Sequence, residues 1–495
     1  MRAVFLVMDT VRRDFLTAYG NDWVQTPNLS RLASLGVTFD NHWVGSLPCM
    51  PARREFMTGR YNFVYRGWGP IEPFDDVLPR LLREGGIFTH LLTDHDHYFE
   101  LGGENYHTAF NTWEFFRGTE HDPWVSLIDR IALPEHLGKL SQQNWHNRSR
   151  QQAEEEYSGP RTCASAVEWL EANGRSDDWF LQVELFDPHE PFTCTPRWRE
   201  LYGDRWDGPL FDWPDYTTVS ESPEAVRHVR NCYAGLLSMT DHWAGKVLAK
   251  IEELGILDET LIVFTTDHGT MLAEHGYWMK NYMPMFSEIT RIPLIVKQPG
   301  HAGAGSRCTR LTQTIDLMPT FLDYFGTPPP PYLHGQSLCR AIEGGELRSE
   351  CIFGYFGKAT NYTDGRLVYF RNPVNLDAGP LHAYTAMPVG GLNHWFPRDL
   401  NEKMEMGRYF GHTYNMPIYK IPVTGETPRS LPGEPTYTGR HQLFDVEQDP
   451  FQQSPIRDDT LEQRCAEGIR RCLQCAEAPP EQFTRLGIEP WTVTA

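Results

Sequence analysis

Four short apolar runs, each halted by an acid or a histidine, restrict this chain more than any other feature. "AVFLVM" ends at Asp9; "FTHLLT" ends at Asp94, His95, Asp96 and His97; "WFLQVELF" ends at Asp187, Pro188 and His189; "LIVFTT" ends at Asp267 and His268. Short, nearly continuous apolar runs read as strands buried on both faces, as in a parallel sheet covered by helices. Between them, Thr26 to Gly36 and Ala164 to Gly174 read as helices closed by glycine. The expectation is an α/β fold with a large, mostly parallel central sheet flanked by helices. Ligands of open α/β sheets collect outside the carboxyl ends of the strands, so the four clusters should converge on one crevice. The competing reading is that each aspartate only caps the helix that follows.

With 495 residues the chain exceeds the roughly 100–200 residues of one ordinary domain. The proline-rich passage Gly326 to Gly335 and the short strands and glycine- and proline-rich loops beyond about Cys351 place a boundary near 345. Residues 1–345 are expected to form the catalytic domain and 346–495 a smaller α+β domain with a short antiparallel sheet. The 45 basic and 65 acidic residues give a net charge of −20, which repels nucleic acid and anionic membrane surfaces. No run approaches the ~20 apolar residues of a membrane span. Ala3 to Met8 is too short for a signal-peptide core, so a cytoplasmic protein is expected unless the N-terminus has been trimmed. The ten cysteines lack the regular spacing of a disulfide framework, and Cys465, Cys472 and Cys475 read as small buried residues of one helix.

One cysteine stands apart. In "SLPCMPARREFMTGR" Pro51 suits the first turn of a helix and Gly59 its exit, which puts Cys49 at the helix N-terminus with Arg53 one turn on. Cys49 is then either a low-pKa thiolate nucleophile or the precursor of another group. Asp9, Asp267 and His268 are oxygen and nitrogen donors suited to a hard cation, and a soft thiolate sits badly beside such an ion.

Cys49-Met50-Pro51-Ala52-Arg53 with Thr58-Gly59 resembles the signature of the type I sulfatases of the alkaline phosphatase superfamily. "VMDTVRRDFL", "FDPHEPF", "TTDHGTMLAEHGYWMK", "EITRIPLIVKQPG" and "LFDVEQDPFQQ" are similar, in this order, to further segments of that family. The resemblance implies an alkaline phosphatase-like fold and a cysteine oxidised by a separate maturase to Cα-formylglycine, whose hydrate attacks the sulfur of a sulfate ester. It implies a divalent metal held by Asp9, Cys49, Asp267 and His268, calcium being the first expectation and manganese the alternative. Arg53 would orient the diol, and His189 and Lys280 would contact the sulfate or protonate the leaving oxygen.

Departures from the family pattern matter. Thr10 stands where many sulfatases have a second aspartate, His268 where many have asparagine, and "TDHDHYFE" replaces the usual Gly-Lys-x-His, so His95 or His97 takes over sulfate contact. The implied substrate is a small-molecule or oligosaccharide sulfate ester. The same one-aspartate pattern occurs in relatives that hydrolyse phosphonate monoesters and phosphodiesters, which is the alternative activity. A protein with an unmodified cysteine that only binds anions is the remaining reading. The aromatic segment His97 to Gly118 is read equally as a ring-stacking surface and as packing.

Overall fold

The computed structural model of the chain describes residues 1–281, 283–374, 381–389, 402–423 and 440–489. Its main sheet has eight strands: β1 (Arg2–Met8), β2 (Val37–Phe39), β3 (Phe88–Thr93), β4 (Thr112–Phe115), β5 (Trp179–Leu185), β6 (Thr260–Thr265), β7 (Leu294–Lys297) and β8 (Arg307–Cys308). They lie in the order β8-β2-β7-β6-β1-β5-β3-β4. All neighbours are parallel except β7, which runs antiparallel to β2 and β6. The four runs that end in polar clusters are thus adjacent in the middle of the sheet, as β6, β1, β5 and β3. Their register pairs Met8 with Leu185, Val7 with Thr265 and Thr93 with Glu184, so all four clusters leave the sheet along one edge.

Alternation along β1 explains its continuous apolar run. Val4, Leu6 and Met8 enter a core with α1 (Pro27–Leu35), α3 (Ser158–Asn173) and α4 (Pro223–Glu253), whereas Ala3, Phe5 and Val7 enter another with α2 (Cys49–Thr58) and the helix Leu317–Tyr324. Each face is covered, so neither set of side chains can be polar. Gly36 and Gly174 do follow α1 and α3, but with φ of −135° and −59° neither is left-handed. Close approach is the reason for glycine there: a Cβ on Gly36 would lie 2.6 Å from the Val296 carbonyl oxygen, and one on Gly174 2.6 Å from that of Leu170.

A second sheet takes β9 (Cys351–Tyr355), β10 (Thr360–Thr363), β11 (Leu367–Arg371) and β12 (Gln442–Asp445) in antiparallel order, and adds the two-residue strand Ser46–Leu47 parallel to β9. One face, with Ile352, Tyr369 and Leu443, is covered by α5 (Asp459–Cys475) through Cys465, Ile469 and Leu473. The other, with Phe353, Val368 and Phe444, packs on Trp43, Leu47, Met271 and Ile289. All ten cysteines are free thiols; Cys465 is buried and Cys472 partly so, but Cys475 is exposed, contrary to expectation. At 100° per residue Cys472 keeps to the face of Cys465, while Cys475 lies on its margin at the last residue of the helix. A three-stranded sheet of His382–Thr385, Glu405–Gly407 and Ile418–Pro422 completes this half. No helix among the described residues is long and apolar enough to cross a membrane.

The loop after β1 is tied to the loop after β6 by Arg12. This buried guanidinium donates to Glu274 Oε2 and the Thr270 carbonyl, both at 3.0 Å, and to Asp14 Oδ2 at 2.6 Å. Arg230 of α4 donates to Glu274 Oε1 at 2.8 Å. Burial alone would raise the Glu274 pKa, but Arg12 and Arg230 outweigh it and hold it at about 2 against an ordinary 4.5. A depressed carboxylate adds stability that is present above the unfolded value and lost as pH falls through the folded one. Glu274→Gln should therefore lower stability by about 2–3 kcal/mol at neutral pH. In thermal melts the gap to wild type should narrow from about pH 4.5 toward 2; a gap that does not narrow would contradict this role for Glu274.

Candidate active site

Cys49 is the first residue of α2, one residue after the strand Ser46–Leu47, and Gly59 ends the helix in the left-handed region with its N–H donating to the Glu55 carbonyl. One turn along, Arg53 is fully committed. Its Nε donates to Glu184 Oε1 at 2.5 Å, Nη1 to Asp267 Oδ2 at 2.8 Å and to the Cys49 carbonyl at 3.1 Å, and Nη2 to Asp9 Oδ2 at 2.9 Å. One guanidinium therefore gathers carboxylates from the ends of β1, β5 and β6, all four side chains being buried.

Thr10 completes this arrangement with φ +64°, a costly conformation for a β-branched residue and one that marks functional sites. Its amide donates to Asp267 Oδ1 at 3.0 Å and its hydroxyl to Asp9 Oδ1 at 2.5 Å, and it accepts from Lys280 Nζ at 3.1 Å. His268 Nδ1 donates to the Gly269 carbonyl at 2.9 Å, which leaves Nε2 as a lone pair 3.4 Å from both Cys49 Sγ and Asp267 Oδ2. The thiol is the donor available to that nitrogen, and converting it to a carbonyl group removes the hydrogen.

The donors fit a divalent cation. Asp9, Cys49, Asp267 and His268 are all buried, and one ligand atom from each lies within 4.8 Å of every other. Three carboxylates around one guanidinium, counting Glu184, leave two formal negative charges buried, which are unfavourable unless balanced. Burial raises the Asp9 pKa, but Arg53, His189, His95 and Lys280 together hold it well below the usual carboxylate range. Burial also pushes the Cys49 thiol well up, and Asp9 and Asp267 add to that, so this site opposes a thiolate.

Cys49 opens onto a cavity of about 150 Å³ lined by Trp68, His97, Glu120, Lys139, His189 and Lys280 among others. His189 Nδ1 donates to the Glu190 carbonyl at 2.7 Å, and burial pushes its pKa down to about 4 despite Glu190. Burial would also lower His97, but Asp96 and the 2.5 Å bond to Glu100 prevail and raise it to about 9. Lys280 Nζ lies 3.4 Å from Glu190 Oε2. His95 does not line the cavity: it is fully buried behind it, with Nε2 3.3 Å from Asp9 Oδ2.

Asp9, Cys49, Arg53, His189, Asp267, His268 and Lys280 are thus brought together, with His97 at the cavity wall and His95 against Asp9. Sequence reasoning missed Glu184, although its signal was visible: a carboxylate in a run buried on both faces must be paired. It also passed over Glu190, next to His189, which accepts from Tyr216 as well as Lys280. Glu120, Lys139 and Tyr216 arrive on irregular connections and left no such signal. The aromatic segment serves two ends. Tyr98, Tyr106 and Phe110 are buried, Tyr98 donating to Glu184 Oε2 at 2.8 Å, while Phe99 and Trp113 are 39% and 42% exposed in a ring cluster with His107 and Phe115.

Known proteins resemble this chain along most of its length. Residues 2–327 match the family model described as Sulfatase. The N-acetylglucosamine-6-O-sulfatase of Bacteroides thetaiotaomicron is 22% identical over 444 residues, covering 75% of this chain and 79% of that protein. Among solved structures, the phosphonate monoester hydrolase of Agrobacterium radiobacter superposes with a TM-score of 0.65 at 20% identity over 96% of each chain. A protein in complex with its substrate D-glucosamine-2-N,6-O-disulfate superposes with a TM-score of 0.66 at 15% identity, over 96% of this chain and 98% of that one. At such identities the two structures speak to the fold, whereas the family model spans well over half of the chain: the chain belongs to the sulfatase family and is a sulfuric ester hydrolase.

Proposed function

We propose that the chain hydrolyses a sulfate monoester of a saccharide or another small alcohol, with residue 49 converted by a separate maturase to formylglycine. The observation that carries this reading is the burial of Cys49 at a helix N-terminus among Asp9, Asp267, His268 and Arg53, where a thiolate is opposed and the neighbouring donors suit a hard cation. Residues 1–345 are taken as the catalytic unit and 346–495 as the smaller one. Formylglycine supplies a geminal diol, a nucleophile able to release sulfate without a second one. A divalent cation, calcium or manganese, would be held by Asp9, Asp267 and His268 with residue 49 as a fourth donor, and would supply Lewis-acid polarisation of a sulfate oxygen. Arg53 fixes the relative positions of these carboxylates and of the backbone at residue 49. Lys280 offers its ammonium to a sulfate oxygen. Neutral at pH 7, His189 presents Nε2 as an acceptor, whereas His97 retains a proton and is the better donor to the departing alkoxide. His95 steadies Asp9 from behind.

Hydrolysis of a phosphonate monoester or phosphodiester is the second reading, supported by the structural likeness to a phosphonate monoester hydrolase. Both substrate classes place one negative charge on a tetrahedral centre. The deciding experiment compares kcat/KM for an aryl sulfate and the matching aryl phosphonate on protein whose Cys49 peptide has been weighed. Sulfate turnover should dominate, and Cys49→Ala should remove it without changing the thermal midpoint appreciably. Dominant phosphonate turnover would move the enzyme to the second reading, and an unmodified, fully active thiol would sink the nucleophile assignment.

Treatment with a chelator should abolish turnover and lower the thermal midpoint, because the buried carboxylates lose their counterion; calcium or manganese should restore both. Activity should also fall as pH rises through about 9, where His97 loses its proton. If His97 is the acid, His97→Gln lowers kcat and abolishes this alkaline limb, whereas a limb that persists in the variant assigns it to another group.

A further inference from the structure

Two lysines stand in the wall of the cavity beside Cys49, and the reaction as proposed uses only Lys280. Lys139 reaches the cavity from a connection that contributes nothing to the strand ends, yet its backbone is fixed. Its amide donates to the Trp213 carbonyl at 2.7 Å, and the Leu137 amide to that of Leu210 at 2.9 Å. Gly138 between them has φ +65°, and a Cβ there would come within 2.3 Å of the Trp213 oxygen. From this anchored turn the side chain lies over Tyr216, with Nζ 3.9 Å from that ring centroid and 5.9 Å from the Trp213 ring.

No direct partner among the described residues closes on this ammonium: burial lowers its pKa, and Glu190, Glu120 and Asp215 offset that only from beyond ion-pair distance. Among the described residues Lys139 Nζ has no hydrogen-bond or ion-pair partner. Glu190 is engaged by Lys280 and Tyr216. Burial pushes Glu120 up to about 8, so it is mostly protonated at neutral pH. The other cations of the wall are paired, His97 with Glu100 and Lys280 with Glu190. In the reading above the scissile sulfate is contacted by Lys280 and the cation site, and Lys139 stands apart from both on the wall formed by Trp213 and Tyr216. A further ammonium, held against aromatic faces at the wall of a small cavity, calls for a further anion.

We propose that Lys139 binds a second anionic group, a carboxylate or another sulfate, on the alcohol half of the substrate, so that the preferred ester is at least doubly charged. Because Lys139 and Cys49 line the same small cavity, that group is expected near the scissile oxygen. This inference rests on the sulfate-ester reading above.

The test uses two esters of nearly equal shape, meta-carboxyphenyl sulfate and meta-carbamoylphenyl sulfate, on mass-verified protein. Wild type should favour the carboxylate in kcat/KM by about tenfold, the order of one charge-assisted hydrogen bond. Lys139→Gln should bring the ratio close to one, and Lys139→Arg should retain it. A ratio unchanged in Lys139→Gln, or a wild type that prefers the amide, overturns the proposal. Calorimetric binding of the same pair to Cys49→Ala protein, with and without Lys139→Gln, separates this claim from the reading it rests on. A Lys139-dependent preference in binding, with turnover of neither ester by wild type, supports the anion site and defeats the sulfatase mechanism. Binding of both esters without preference defeats the anion site whatever the turnover.

Discussion

The site depends on the Arg53 guanidinium and the three carboxylates it holds. Asp9, Glu184 and Asp267 come from three adjacent strands, and none could remain ionised in the interior alone, where an unpaired charge costs several kcal/mol. Arg53 answers one of the three charges and fixes the positions of all of them. The remaining two explain why the cluster is suited to a divalent ion and why it disfavours one more anion, such as a thiolate, at residue 49. The same pairing gives Arg53 a structural task and leaves it little donor capacity for substrate: four of its five N–H groups are spent on protein acceptors.

The nucleophile turn is held from its other side by the second sheet. Ser46 and Leu47 pair with Gly354 and Tyr355 of β9, and Cys49 follows after a single residue. Tyr355 also donates its hydroxyl to Asn281, which lines the cavity next to Lys280. Glu55, nearly two turns beyond Cys49 in α2, accepts from Ser46 and Thr314, tying the helix back to the strand that precedes it. The C-terminal sheet is therefore joined by backbone pairing to the segment that ends two residues before Cys49.

Much of this was legible in the sequence because sheets impose strict rules. A strand buried on both faces must be apolar along its length, so the residue at which the pattern breaks is also the residue at the sheet edge; Asp9, His189, Asp267 and His268 announce themselves in this way. Cys49 and Arg53 could be placed by helix signals, Pro51 and Gly59. Glu184 breaks the apolar pattern inside a strand and could have been found by the same rule. His95 and His97 were separable only in three dimensions, since a short helical turn sends one behind Asp9 and the other into the cavity. Glu120, Lys139 and Tyr216 obey no periodicity, because irregular connections carry them and their positions follow from contacts between segments distant in sequence, such as Lys139 with Trp213 and Tyr216 with Glu190.

That division has a chemical consequence. The strand ends and α2 set what bond is broken, and the constraints on them are severe: a shift of one residue in β1 would exchange its two core faces and carry Asp9 away from Arg53. The connections that supply Glu120, Lys139, Trp213 and Tyr216 line the rest of the cavity, where the reading proposed above puts the alcohol, and they answer to far weaker rules. Sulfate and phosphonate esters differ little at the tetrahedral centre, so the part of the site that the sheet controls discriminates between them poorly. On that reading discrimination among esters falls to the loop side of the cavity, which presents Lys139, Glu120 and the rings of Trp213 and Tyr216. Likeness in the sheet therefore gives the fold, the family match gives the reaction class, and in the reading proposed above the alcohol falls to residues that such likeness leaves free to vary.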